Sequence, residues 1–235
     1  MKKLGTALLS ASALLVAGTA AAELPEWTYG QVGYFQADSF GDDQTDGLTI
    51  NGSVGFLDVW HIEAGYIDGS TAGASNLLGA VIAAELEAEL GADLSSDFDG
   101  WSVTVGAHPA INEKSQLVIN ATYFDTSYDV DGGEGAAIGD IDRDGYGFGV
   151  GIRTNVTDKV EASAIGYWTD ASFDDAGSDA DATNISVVLA GRYNWTENFS
   201  TGATVTISDP TTGLLDGASN SMNLDVRYTF AGLRL

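Results

Sequence analysis

The feature that most constrains this chain is a two-residue alternation of apolar with polar or small side chains, repeated in stretches of about ten residues. Leu48, Ile50, Val54 and Phe56 alternate with Thr49, Asn51 and Ser53. Trp101, Val103, Val105 and Ala107 alternate with Ser102, Thr104 and His108. The same pattern recurs at 116–123, 145–153, 184–193, 203–208 and 222–230, and less regularly at 27–37, 61–69 and 160–170. Successive side chains of an extended strand project to opposite faces, so each stretch carries one apolar face and one polar or small face. Ten strands are expected, with eight as the alternative. No segment beyond the N-terminal leader has the 18 consecutive apolar residues of a membrane-spanning helix.

Such strands suit two architectures. A soluble sandwich or barrel turns its apolar faces inward. A membrane barrel turns them outward to lipid and keeps a polar interior. The connections favour the second. Short ones at 58–60, 110–115, 156–158 and 195–198 alternate with long ones at 38–47, 70–100, 129–145, 171–182 and 210–219. Outer-membrane barrels have short periplasmic turns and longer extracellular loops, and a sandwich has no reason to collect every long connection at one end. The five long connections hold 21 of the 34 acidic residues and one basic residue, Arg143. Within lipid every backbone N–H and C=O must be paired inside the protein, so strands can cross only as a closed barrel. The aromatics Trp27, Tyr29, Trp60, Tyr128, Trp168, Tyr193, Trp195 and Phe199 fall near strand ends, where interfacial girdles are expected.

Composition narrows the function. The 235 residues carry 9 Lys and Arg against 34 Asp and Glu, a formal charge of −25. This balance excludes a nucleic-acid partner, which needs basic patches. A hydrophobic fraction of 44% and an aromatic fraction of 10% exclude an acidic disordered chain. The absence of cysteine excludes disulfides, thiolate metal sites, a cysteine nucleophile and a lipid-modified N-terminal cysteine. Lys2 and Lys3, the apolar run 4–17 and Ala20-Ala21-Ala22 read as a bacterial export signal, cleaved before Glu23. The expected organisation is a signal peptide at 1–22 and one barrel domain at 23–235, integral to the outer membrane of a Gram-negative cell.

At this point the sequence resembles the small outer-membrane β-barrel proteins of the OmpA-like and OmpX/Ail-like class. The resemblance rests on the leader, on the opening Tyr29-Gly-Gln-Val-Gly-Tyr34, on Gly-x-Gly strands such as 145–151, and on a last strand ending Val226-Arg-Tyr228-Thr-Phe230. That ending is similar to the aromatic signal read by the barrel assembly machinery, a partner the resemblance implies. It departs from the pattern in that 231–235, ending in Leu235, follow the aromatic. The class shares architecture more than function.

Candidate sites are few. His61 and His108, the two histidines, fall at the periplasmic strand ends, away from the outward loops, and read as interfacial or lumen-lining. No catalytic residue is assigned, and an enzyme is not expected. The run Asp140-Ile-Asp142-Arg-Asp144-Gly145 matches the opening of a calcium loop, but position 12 is Gly151 where an acid is required, so it is a weak candidate cation site. Asp42-Asp43, Asp174-Asp175 and Asp179-Ala-Asp181 read as solvated loop charge. Leu78, Ile82, Leu86 and Leu90 give 76–94 a helical repeat inside the longest loop.

The lumen carries the most information. With apolar faces toward lipid, Arg153, Arg192 and Arg227 point inward with Glu63, Glu161 and Asp225, and a three-residue turn would set Arg153 opposite Glu161. Unpaired charge in a confined lumen is costly, so salt bridges are expected. Gly147, Gly149, Gly151, Ser186 and Gly202 on the inner face leave room.

The leading expectation is a monomeric barrel with a structural or surface-interaction role. It would meet outer-membrane lipid and lipopolysaccharide through divalent cations and need no cofactor. The alternative is a small, weakly conducting, cation-preferring porin, and an outer-membrane enzyme ranks last.

Overall fold

A computed structural model describes residues 24–38, 44–72, 95–131, 137–175, 178–212 and 219–230. Ten strands account for nearly all of them: β1 (Tyr29–Asp38), β2 (Gln44–Phe56), β3 (Trp60–Ala72), β4 (Ser95–Ala107), β5 (Ser115–Asp131), β6 (Ala137–Thr157), β7 (Val160–Asp175), β8 (Ser178–Asn194), β9 (Phe199–Thr212) and β10 (Ser219–Thr229). Each pairs antiparallel with its sequence neighbours, and β1 pairs with β10, so the sheet closes on itself. Closure leaves no edge, which is what lipid demands of strands that cross it. Among the described residues there is no helix. The leader 1–22, the helical repeat at 76–94, Asp42-Asp43 and Leu235 lie outside the described residues.

The tight connections 57–59, 108–114, 158–159 and 195–198 lie at the end where the described chain begins and ends. At 57–59, Leu57 (φ 50°) and Asp58 (φ 58°) both adopt left-handed backbone to reverse β2 into β3.

Register fixes which side chains face out. The exterior presents Val32, Leu48, Ile50, Ile62, Val103, Val105, Ile119, Phe148, Val150, Leu224 and Val226, all exposed. Aromatic rings bound this band. Tyr34, Tyr66, Trp101, Tyr123, Tyr146 and Trp168 lie on the far side, and Trp60, Tyr193, Trp195, Phe199, Tyr228 and Phe230 on the side of the tight turns. Trp27, Tyr29 and Tyr128, expected in these girdles, are instead inside the barrel. Trp27 and Tyr29 are buried, and Tyr128 packs against Phe98 with ring centroids 5.6 Å apart.

Several long connections expected from the sequence are mostly wall. β5 continues to Asp131 and β6 resumes at Ala137, while β7 runs to Asp175 and β8 starts at Ser178. A 21-residue strand such as β6 spans about 70 Å at ~3.3 Å per residue. The apolar band of such barrels is only about 25 Å tall, so β5–β8 rise well beyond it.

Candidate functional site

The lumen is filled in layers. Its lowest layer, at the end with the tight turns, is ionic. Arg153 Nη2 donates to Glu161 Oε2 at 2.8 Å, and Arg227 Nη1 lies 3.5 Å from Glu161 Oε1. Arg192 pairs with Asp225, donates to Ser200 Oγ at 3.1 Å, and shares Gln31 Oε1 with Arg227. Glu63 accepts from the Tyr29 hydroxyl at 2.6 Å, and the Arg227 guanidinium covers the Tyr29 ring at 3.9 Å. All six charged residues assigned to the lumen therefore belong to one cluster with Tyr29 and Gln31. The expected register is corrected in one detail. Arg153 stands opposite Ser163, while Glu161 stands opposite Asn155 beside a bulge, so the ion pair forms diagonally. The bulge leaves a tighter turn, 158–159, than the three residues expected.

Beside this layer the two histidines, 47 positions apart in sequence, come together. His61 is 1% exposed, and its ring centroid lies 5.4 Å from that of His108. Trp27 stacks on both, at 3.9 Å and 4.8 Å. Burial holds His108, in the turn after β4, below the ordinary histidine range. A neutral ring fits its contacts: Nε2 donates to the Trp60 carbonyl at 3.2 Å and Nδ1 accepts from Gln116 Nε2 at 3.3 Å. Gln31 and Gln116 were not singled out from the sequence, and Trp27 and Tyr29 were expected in the girdles rather than here. The two glutamines carry a signal that could have found them, because each occupies an inward position of its strand. Trp27 carries the same signal, since the expected strand 27–37 sets it on one face with Tyr29 and Gln31.

The middle layer is neutral and polar. Asn120 Nδ2 donates to the Tyr167 hydroxyl at 2.9 Å, Asn223 Nδ2 donates to Thr49 Oγ1 at 3.1 Å, and the Thr104 and Thr122 hydroxyls pair at 2.7 Å. The inward glycines leave less room than expected. A Cβ on Gly149 would lie 2.8 Å from Tyr167 Cδ1, and one on Gly202 would lie 2.8 Å from Arg192 Nη2. Their missing side chains admit the ring and the guanidinium of neighbouring strands. A cavity of ≈ 190 Å³ remains between Tyr29, Glu63, Thr104, Asn120, Ser163 and Tyr167.

The far layer is aromatic. Phe35 packs on Phe98 at 6.1 Å, and the Arg143 guanidinium lies over Phe124 and Phe173 at 5.0 Å and 5.5 Å. Here the polarity of the wall is inverted. Inward positions carry Phe35, Phe98, Tyr128, Ile141 and Phe173, and outward positions carry Asp46, Asp68, Asp97, Asp99, Asp125, Asp129, Asp140, Asp142, Asp144 and Asp170. The first aspartates stand directly above the aromatic ring. Tyr34 donates to Asp46 at 3.0 Å, and Tyr146 donates to Asp170 at 3.1 Å.

Within β3–β6 four aspartate pairs face each other across the ladder: Asp68 with Asp99, Asp97 with Asp129, Asp125 with Asp144, and Asp129 with Asp140. The run Asp140, Asp142, Asp144 is therefore not a calcium loop. It lies in β6, where alternate residues are about 6.6 Å apart and side by side, so the three carboxylates do not converge on one ion. Among the described residues no group of three or more His, Asp and Glu could hold a metal ion. The carboxylates line instead an open concavity of ≈ 600 Å³ spread over β2–β6.

A closed antiparallel barrel with an apolar exterior between two aromatic girdles and a polar interior defines the class: this is an integral outer-membrane β-barrel protein. No protein-family model matches the sequence, and no curated protein matches it. Solved structures are similar in fold. The translocator domain of the autotransporter NalP from Neisseria meningitidis aligns with a TM-score of 0.51 at 10% identity, over 97% of this chain and 95% of that one. The outer membrane protease OmpT from Escherichia coli aligns at 0.46 and 11% identity, over 87% and 94%. Ail, the attachment invasion locus protein of Yersinia pestis, aligns at 0.42 and 14% identity, over 86% and 97%.

Proposed function

We propose that this barrel is a closed, monomeric structural and surface-interaction protein, neither a pore nor an enzyme, whose acidic outer wall meets the lipopolysaccharide layer through divalent cations. The observation that carries this reading is the direction of the aspartates. They face away from the lumen, just beyond the aromatic girdle, at the height where lipid headgroups begin. A cation-selective pore would need them at its mouth. Facing carboxylates on adjacent strands repel. Mg²⁺ or Ca²⁺ placed between these carboxylates and lipid phosphates would satisfy both anions, because hard cations accept oxygen ligands from several sources. The barrel assembly machinery is the expected partner during insertion.

The test is retention of lipopolysaccharide. Protein extracted in detergent with Mg²⁺ is expected to keep lipopolysaccharide bound, and EDTA is expected to strip it. Replacing Asp68, Asp97, Asp129 and Asp144 by Asn, which breaks the four facing pairs of β3–β6, is expected to abolish the Mg²⁺ dependence. Equal retention with and without Mg²⁺, or no retention at all, would contradict the proposal.

A further inference from the structure

The lumen is closed toward the tight-turn end by a segment that belongs to no strand. Residues 24–28 precede β1; Thr28 continues its pairing toward β10, and Trp27 turns its side chain into the barrel. Leu24, Pro25 and Glu26 line a basin of ≈ 560 Å³ open to that end, whereas Trp27 lines the inner cavity of ≈ 190 Å³. The strap thus passes from one space to the other. Arg153, Glu161, Arg192 and Arg227 line both spaces and complete the partition between them.

Trp27 occupies a site shaped for an indole. Its ring stacks on His61 with 18° between the planes and on His108 with 13°, and the Arg153 guanidinium lies 4.5 Å from its centroid. The indole N–H donates to Gln116 Oε1 at 2.9 Å, so the one polar atom of the ring is satisfied. Trp27 is 7% exposed. Behind it the strap is pinned by Thr28. Its hydroxyl accepts from Gly55 N at 3.1 Å, and its carbonyl accepts from Phe230 N at 2.9 Å. Stacking, a cation–π contact and a buried hydrogen bond on one side chain make this an anchor. The residues that make the site come from β3, the β4–β5 turn, β5 and β6, and would keep their positions in the ladder without Trp27.

We propose that residues 24–28 are a tethered plug, in which Trp27 fills an aromatic-ring site built by His61, His108, Gln116 and Arg153 and seals the inner cavity from the periplasmic side. Withdrawing the strap would leave an open indole-sized site and connect the cavity to the basin. The inference is independent of what the outer wall binds.

The chain has no cysteine, so Ser163→Cys, whose side chain lines the inner cavity, supplies a single reporter. Protein extracted from outer membranes of cells expressing the full chain is exposed to a small cationic methanethiosulfonate reagent, with heat-modifiable migration checking the fold. With Trp27 in place labelling is expected to be slow. In Trp27→Gly it is expected to accelerate about tenfold or more, as for a site released from a local opening step, and millimolar indole is expected to slow it again. Trp27→Phe, which keeps a ring but loses the bond to Gln116, is expected to accelerate labelling less, and it decides the matter if the glycine variant does not fold. Fast labelling with Trp27 present, no acceleration in a folded Trp27 variant, or acceleration that indole leaves unchanged would each overturn the proposal.

Discussion

Arg192 shows how one residue depends on a single partner. Its guanidinium is enclosed by Asp225, Ser200 and Gln31, and the side chain of Asp225 is fully buried. Removing one member of a buried pair strands the other, which typically costs about 3–5 kcal/mol. Asp225→Ala is therefore expected to lower the urea midpoint of the detergent-solubilised barrel markedly. Arg153 shares Glu161 with Arg227 and has a second contact in the Trp27 ring, 4.5 Å from its guanidinium. Charge on the inner face was legible in the sequence, since strand parity put all six residues on one side. The partners were only partly legible. Arg153 with Glu161 crosses a short turn, but Arg192 with Asp225 and the bond from Trp27 to Gln116 join positions 33 and 89 residues apart. Arg192 and Asp225 stand on either side of Gly202, so the register of β8, β9 and β10 joins them, whereas barrel closure brings Trp27 to Gln116.

At the scale of the strand, the informative event is a change of phase. In β6 the apolar residues Tyr146, Phe148, Val150 and Ile152 face out, but Ile141 faces in while Asp140, Asp142 and Asp144 face out. The same switch separates Phe98 from Trp101 in β4 and Tyr128 from Tyr123 in β5. A one-residue change of phase exchanges the two faces of a strand. It occurs where lipid gives way to water, because there the outer face must become polar. Periodicity read from sequence loses its signal at that step, which is why these segments look like acidic loops. Cysteine scanning along β6 checks the assignment. In intact cells Asp142→Cys is expected to react with a membrane-impermeant maleimide, and Val150→Cys is expected to react only with a lipid-soluble one. Reaction of Val150→Cys with the impermeant reagent would contradict the boundary at Tyr146.

At the scale of the whole molecule, three layers of different chemistry stack along the lumen: the ionic layer with the Trp27 stack, the neutral polar layer, and the aromatic layer of Phe35, Phe98 and Tyr128. Eight strands give an interior that side chains fill, and far larger barrels leave a channel. Here ten strands are filled because rings and guanidinium groups lie over inward glycines such as Gly149 and Gly202. Planar-bilayer recording of the purified protein is accordingly expected to show no discrete single-channel events. Steady cation-selective steps would show that the layers part in the membrane. Strand number and glycine count together did not decide this from sequence, since glycine reads equally as space or as a seat for a neighbour.

The sequence by itself determined the class of fold and its orientation. Two-residue alternation dictates strands with unlike faces, and the asymmetry of the connections assigns the apolar face to lipid. Both properties are local, so a single chain displays them without contacts. Only the tertiary structure decided which charges meet, that the aspartates stand on the outer wall above the girdle, and that Trp27 meets His61, His108 and Gln116. Those outcomes depend on register and closure, which bring together residues from opposite ends of the chain. No local pattern encodes them.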